Sequence, residues 1–303
     1  MKQTILVTGA GGFIGSAVTR VLSKKANVIA LTSPFSSSDR ITSLRDLVLI
    51  KKVDLSDANK VKNLIKSSKP DIVVHLATHG VYTYQQADED RISIDNYKMT
   101  SNLLNFSSQF GVKKFINTGS VFEYGSQKRK VNESDVDLID VLNRYSAVKM
   151  ATTALANSYA NKLQVITLRP FTTYGPTEDK TRFVRATIQR ALNNEPIRIV
   201  KDVVRDFVYV DDVADAYLRA VLVDYQSGEI INIAGGKKYS LEKVSNLIKK
   251  ITNSKSQIIF DEKYVRGKES ACWADIRKAK KILSWKPKTS LDMGLNKTID
   301  WMK

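Results

Sequence analysis

Apolar residues in this chain fall into two spacings that take turns through its first half: short unbroken runs that suit buried strands, and longer stretches at helical intervals. Thr4 to Thr8 reads as a strand, and Ser16 to Lys24 resumes with helical spacing. Further strands are predicted over Asn27 to Leu31, Val48 to Val53, Asp71 to Ala77 and Lys114 to Thr118, with helices over Ala58 to Ser67 and Ser93 to Phe110 between them. The Asp71 run is apolar throughout, as a strand covered on both faces of a parallel sheet would be. Alternation at this spacing predicts right-handed βαβ units, hence an α/β fold with a doubly wound parallel sheet.

The pattern loosens after Leu163 to Pro170, a sixth strand, and Pro170, Pro176, Pro196 and Pro287 all fall from there on. Helices are expected over Phe183 to Leu192, from an Asp211-Asp212 cap through Val223, over Ser240 to Ile251 behind a serine cap, and over Ile276 to Leu283. Ile197 to Val200 and Glu229 to Ala234 read as strands. The expected division is a first unit over 1–170, with 204–235 returning to it, and a smaller α/β lobe over 171–303 that closes one side of a cleft.

Composition narrows the class. With 303 residues, 43% of them hydrophobic, the chain can bury a full core. No run of 18 apolar residues occurs and the chain opens directly into a strand, so neither a membrane span nor a secretory leader is expected. The single Cys272 forms no intrachain disulfide, and no Cys/His cluster has metal-ligand spacing; a cytoplasmic protein without a metal is the expectation. A net charge of +17 invites a nucleic-acid partner, yet the lysines occur as scattered pairs such as Lys24-Lys25, Lys113-Lys114 and Lys280-Lys281. Solvated helix faces account for them better than a phosphate-backbone footprint.

Between the first strand and the first helix stands Gly9-Ala10-Gly11-Gly12-Phe13-Ile14-Gly15. Strand, glycine turn and helix in that order form a Rossmann-type site for a dinucleotide pyrophosphate. Gly9 allows the tight turn, Gly11 or Gly12 a close backbone approach, and Gly15 close helix packing. The second strand ends in Thr32-Ser33, followed by Ser36, Ser37, Ser38 and Arg40, where a carboxylate would bind a ribose 2′-hydroxyl. Hydroxyls and an arginine suit a 2′-phosphate, so NADP(H) is favoured and NAD(H) is the alternative. Asp54-Leu55 falls where the adenine would lie; His79 follows the fourth strand into a loop beside the cofactor, whereas His75 within that strand is expected to be a satisfied core residue.

Tyr145 and Lys149, four residues apart, share one helix face about a turn from each other. A fixed ammonium would stabilise the phenolate and draw its pKa down towards neutrality. Ser120, at the end of the fifth strand, could donate a hydrogen bond to the same substrate oxygen.

In these motifs the chain resembles the extended short-chain dehydrogenase/reductases, the nucleotide-sugar epimerases, dehydratases and ketoreductases among them, over nearly its whole length. Asp54-Leu55, His75-Leu76-Ala77, Asn96, Ser120 with Tyr124-Gly125, Leu168-Arg169-Pro170-Phe171, Tyr174-Gly175-Pro176 and Arg205 through Asp212 carry the resemblance, together with Asn232, Arg266, Ala274-Asp275 and Trp285-Lys286-Pro287. It implies cofactor contacts at Leu76, Ala77, Thr78, Asn96, Tyr145, Lys149 and Pro170, and a hydride moved to or from a sugar carbon, usually C4, while Tyr145 moves the proton. It also implies substrate contacts at His79, Ser120 and Thr172, the last standing where many relatives have Asn, and a diphosphate held by Arg205 and Arg266. A homodimer through Ser93 to Phe110 and Tyr145 to Ala160 is implied as well. Val121 and Phe122, which follow Ser120, cannot move a proton, so 4,6-dehydration is disfavoured; strand alternation would turn Glu123 to the opposite face. The resulting expectation is NADPH-dependent reduction of a nucleotide 4-keto-6-deoxyhexose at C4. The alternatives are a 4-epimerase with retained NAD and, from another class, an NADP-sensing scaffold, against which the intact Ser120, Tyr145 and Lys149 set argues.

Overall fold

The computed structural model describes residues 2–79, 89–136, 138, 140–260 and 271–303. Its centre is a seven-stranded parallel sheet of strands β1 (Thr4–Thr8), β2 (Asn27–Thr32), β3 (Leu49–Lys52), β4 (Ile72–His75), β5 (Lys114–Thr118), β7 (Gln164–Pro170) and β11 (Glu229–Ile233). They lie in the order β11-β7-β5-β4-β1-β2-β3. The apolar runs follow from burial on both faces: Ile5, Val7, Ile72, Val74, Ile116 and Ile166 join one core, and Leu6, Val73, Phe115 and Val165 the other. Helices α1 (Phe13–Ser23) and α6 (Val210–Leu222) cover the first face; α2 (Ala58–Ser68) and α3 (Glu89–Gln109) cover the second. Sequence order reverses between β1 and β4, and in such sheets the crevice beyond the strand ends at the switch point receives the ligand.

The second half builds a third core. Strands β8 (Thr172–Tyr174) and β10 (Val204–Tyr209) pair in parallel, and β12 (Lys238–Ser240) joins β10 antiparallel. Helices α5 (Phe183–Leu192), α7 (Leu241–Thr252) and α9 (Leu291–Met302) pack Val184, Ile188, Val244, Ile248, Leu295 and Ile299 around them, with the strand pair β9 (Ile197–Ile199) and β13 (Ile258–Phe260) alongside. Two-residue strands β6 (Lys130–Val131) and β14 (Trp273–Ala274) pair beside a small fourth cluster, and α8 (Arg277–Leu283) packs on β11.

Helix α4 (Arg144–Asn157) packs against α3, and Asn143 caps it by accepting from Ser146 N at 2.9 Å. Asp211 and Asp212 do not cap α6 as expected. The N-cap is Tyr209, without a side-chain bond, and both carboxylates sit in the first turn. Asp211 reaches Arg20 of α1 at 2.6 Å, and Asp212 accepts from Lys288 N at 3.1 Å and Thr289 N at 2.9 Å. Among the described residues no helix is long and apolar enough to cross a membrane.

Candidate active site

A cleft of about 910 Å³ opens at the switch point, and Gly9, Gly11, Gly12, Phe13, Ile14 and Gly15 all line it. Gly9 has φ +67°, and a Cβ there would lie 2.6 Å from Ala77 N, so the turn and the neighbouring strand end both require glycine. A Cβ on Gly15 would lie 2.0 Å from Gly9 O, so this glycine seats the helix on the turn itself. Gly11 faces Ser37 O of the loop after β2, which leaves Gly12 as the N-cap of α1 on the open side. No side chain caps this end of α1, and its first turn holds no carboxylate. The donors and positive dipole end are therefore free for an anion.

Beyond the turn the cleft is lined by Thr32, Ser33, Phe35, Ser36, Ser37 and Arg40, none of them acidic. Thr32 Oγ1 is buried without a hydrogen-bond partner, and Arg40 donates to Thr177 O at 3.0 Å and Gly11 O at 3.4 Å. Asp54 and Leu55 line the same end, where Asp54 accepts from Ser56 Oγ at 2.7 Å. An uncapped helix end, a glycine cradle and an orphaned hydroxyl at Thr32 fit a dinucleotide.

Leu76, Ala77, Thr78 and His79 form the adjoining wall, and Thr8 Oγ1 accepts from Leu76 N at 3.2 Å and Ala77 N at 3.1 Å. Asn96 is not part of that wall. It is buried behind it, where its amide accepts from His79 N at 2.8 Å and donates to His79 O at 2.9 Å, fixing the loop. His75 is the expected core residue: it hydrogen-bonds Thr8 and Thr100, and burial drives it down to about 3, hence neutral. Pro170, Thr172 and Arg205 line the far end of the cleft; Arg266 lies outside the described residues.

Ser120, Tyr145 and Lys149 line the same cleft. Lys149 donates to Thr118 O at 2.9 Å and sits 5.8 Å from the Tyr145 ring centroid; Phe122 abuts the same ring edge-on at 5.9 Å. The side chains of Thr78 and Ser120 both act on the Tyr145 hydroxyl and draw its pKa down. Burial, however, pushes the phenol up to about 12, against the downward pull of Thr78, Arg182 and Ser120. Burial also lowers Lys149 to about 8, with Glu123 opposing it. The expected depression of the phenol is thus reversed: loss of solvent outweighs the local charges, and the cation acting on the hydroxyl is Arg182.

Three features here escaped the sequence pattern. Thr78, expected only as a cofactor contact, also acts on the phenol although it sits 67 residues upstream. Glu178 and Arg182, just past the Tyr174-Gly175-Pro176 motif, line the cleft, and Glu178 is buried with one oxygen unpartnered. Glu123 is not on a strand at all; it lies within a short 3-10 turn, Val121–Tyr124, and pairs with Arg169 at 2.9 Å, both side chains buried. The tandem Glu123-Tyr124-Gly125 after a serine was the available signal.

Fold and site together define an enzyme built around a nicotinamide dinucleotide cleft. The chain belongs to the NAD-dependent epimerase/dehydratase family, whose model matches residues 5–234. It is 30% identical to an uncharacterized UDP-glucose epimerase, YtcB, of Bacillus subtilis, over 98% of this chain and 97% of that protein. It is 28% identical to a UDP-glucuronate 4-epimerase of Thermodesulfobacterium geofontis, over 98% and 95% respectively. The crystal structure of a UDP-glucuronic acid 4-epimerase variant from Bacillus cereus, in complex with a fluorinated UDP-sugar and NAD, superposes with a TM-score of 0.90 at 27% identity and covers 99% of both chains.

Proposed function

We propose that this protein reduces the C4 keto group of a nucleotide-activated 4-keto-6-deoxyhexose with NADPH. The observation that carries the reading is the end of β2, where Thr32, Ser33 and Arg40 meet the cleft and no carboxylate does. A carboxylate there would repel a 2′-phosphate, whereas an arginine fork and hydroxyls accept one. The glycine turn and the α1 N-terminus would hold the pyrophosphate, Asp54 and Leu55 the adenosine side, and Leu76, Ala77, Pro170 and Lys149 the nicotinamide side. When bound, the nicotinamide supplies the hydride. Tyr145, protonated at neutral pH, gives its proton to the C4 oxygen, and Ser120 donates a hydrogen bond to that oxygen. Arg205 and Arg266 would hold the diphosphate, with the sugar between Thr172, His79 and Arg182. The division of labour would follow the chain: 1–170 with 204–235 for the cofactor, and mainly 171–303 for the nucleotide sugar.

The family relatives favour a second reading, a 4-epimerase that keeps its NAD. Steady-state assays with a nucleotide-linked 4-keto-6-deoxyglucose separate the two. NADPH should be consumed in step with a reduced sugar, with kcat/KM at least about tenfold above that for NADH. Absence of consumption with either cofactor, together with interconversion of two C4-epimeric UDP-sugars, establishes the epimerase instead.

A further inference from the structure

We propose that Glu123, charge-paired with Arg169, is the positioning residue that fixes Ser120 against Tyr145, and that its carboxylate carries no proton in the reaction. The proposal rests on the Ser120, Tyr145 and Lys149 reading above. Glu123 is fully buried and absent from the cleft wall, so no substrate oxygen reaches it. Its two oxygens have separate tasks. Oε1 accepts from Ser120 N at 2.7 Å, while Oε2 accepts from Arg169 Nε at 3.0 Å. Arg169 is held in turn by Tyr124 Oη at 3.1 Å and Glu133 O at 3.1 Å, so the carboxylate is clamped from β7 and returns that constraint to the end of β5.

Ser120 is consequently pinned at two atoms. Its N–H goes to Glu123, and its Oγ accepts from Phe122 N at 3.2 Å. Its O–H remains available as a donor on the cleft wall that Ser120 shares with Tyr145, whose pKa the serine draws down. Gly119 completes the device: a Cβ there would lie 2.4 Å from Glu123 Oε1 and 2.8 Å from Arg169 Cγ, so only glycine leaves the carboxylate its place. The arginine is needed because a lone carboxylate at this depth would be costly to ionise. The charge also bears on Lys149, where it opposes the loss of the ammonium that burial favours.

Two double variants of the full chain isolate the contact without leaving a buried charge: Glu123→Gln with Arg169→Met, and Glu123→Leu with Arg169→Met. Glutamine still offers a carbonyl oxygen to Ser120 N–H, and leucine does not. Hydrogen exchange at the Ser120 amide, followed by NMR, should be slow in the glutamine pair and at least about tenfold faster in the leucine pair at matched melting temperature. For C4 turnover, the leucine pair should lose about tenfold or more in kcat relative to the glutamine pair, at unchanged KM. Gly119→Ala, which keeps both charges and displaces the carboxylate, should behave like the leucine pair. Equal kcat losses in the two pairs would mean a proton-carrying carboxylate, and equal amide protection would remove the contact; either overturns the proposal. Amide exchange needs no substrate, so it decides the contact even if the wild-type chain were to turn over no sugar at C4, the result that would instead overturn the functional reading.

Discussion

At the scale of single residues, the chemistry turns on two buried groups with opposite shifts. Tyr145 is held up to about 12, which suits the donor role proposed for it; Lys149 is brought down to about 8, which places its titration nearer neutrality. Replacing Tyr145 with Phe should lower turnover about 10²- to 10⁴-fold while cofactor affinity, read by fluorescence titration, stays as it was. Unchanged turnover would remove the proposed acid. In a pH profile of kcat/KM the basic limb belongs to Lys149: the rate should fall as pH rises through about 8, and in Lys149→Arg, whose guanidinium keeps its charge, the limb should move upward. Glu178 makes a stability prediction. Burial raises its carboxyl from 4.5 to about 8, so between those values the folded chain holds a proton that the unfolded chain has released. Its contribution is full below 4.5 and is lost as pH rises through about 8, so the melting temperature of the wild type should drop relative to Glu178→Gln across that window. Spacing along the chain was enough to find Tyr145, Lys149 and the glycines, because each owes its place to local geometry. It could not give the sign of the Tyr145 shift or the place of Asn96, since both depend on which elements close over them.

At the scale of elements, the glycine turn is the clearest case of local sequence dictating local structure. Gly15→Ala would set a Cβ 2.0 Å from Gly9 O and should cost about 2 kcal/mol or more in stability, measurable by denaturant unfolding, with NADPH affinity lost in parallel. The strands of the large sheet were legible because burial on both faces makes them uniformly apolar; β5 and α5 have the expected boundaries. Helix α9 was not. Its buried residues Leu291, Leu295 and Ile299 form one narrow line amid polar neighbours, and their partners lie on α5, α7 and β10. Strand β10 was visible only as the Arg205 to Asp212 motif, since its pairing partners β8 and β12 are far apart in the sequence. The Asp211-Asp212 pair looked like a helix cap because its true ligand, the Lys288–Thr289 backbone, lies 76 residues on.

At the scale of the molecule, Asp212 ties the C-terminal segment to α6, and Trp285, fully buried, donates its indole N–H to Asp212 O at 2.9 Å. Asp212→Ala leaves two backbone donors unmet and should destabilise the chain by about 2 kcal/mol, read by calorimetry. Ile94 and Tyr97 stand about half exposed on α3 beside Val148 and Ala151 of α4. If these helices form the expected dimer face, replacing both exposed residues with Lys should turn a dimer into a monomer by sedimentation. The most direct test of the whole is isotopic. The protein is given NADPH deuterated at the transferable position of its nicotinamide and a nucleotide-linked 4-keto-6-deoxyglucose, and the product is examined by NMR. One deuterium at C4 of the reduced sugar per NADPH consumed is the expected result; a sugar without deuterium, or NADPH recovered intact beside an epimerised sugar, would contradict it.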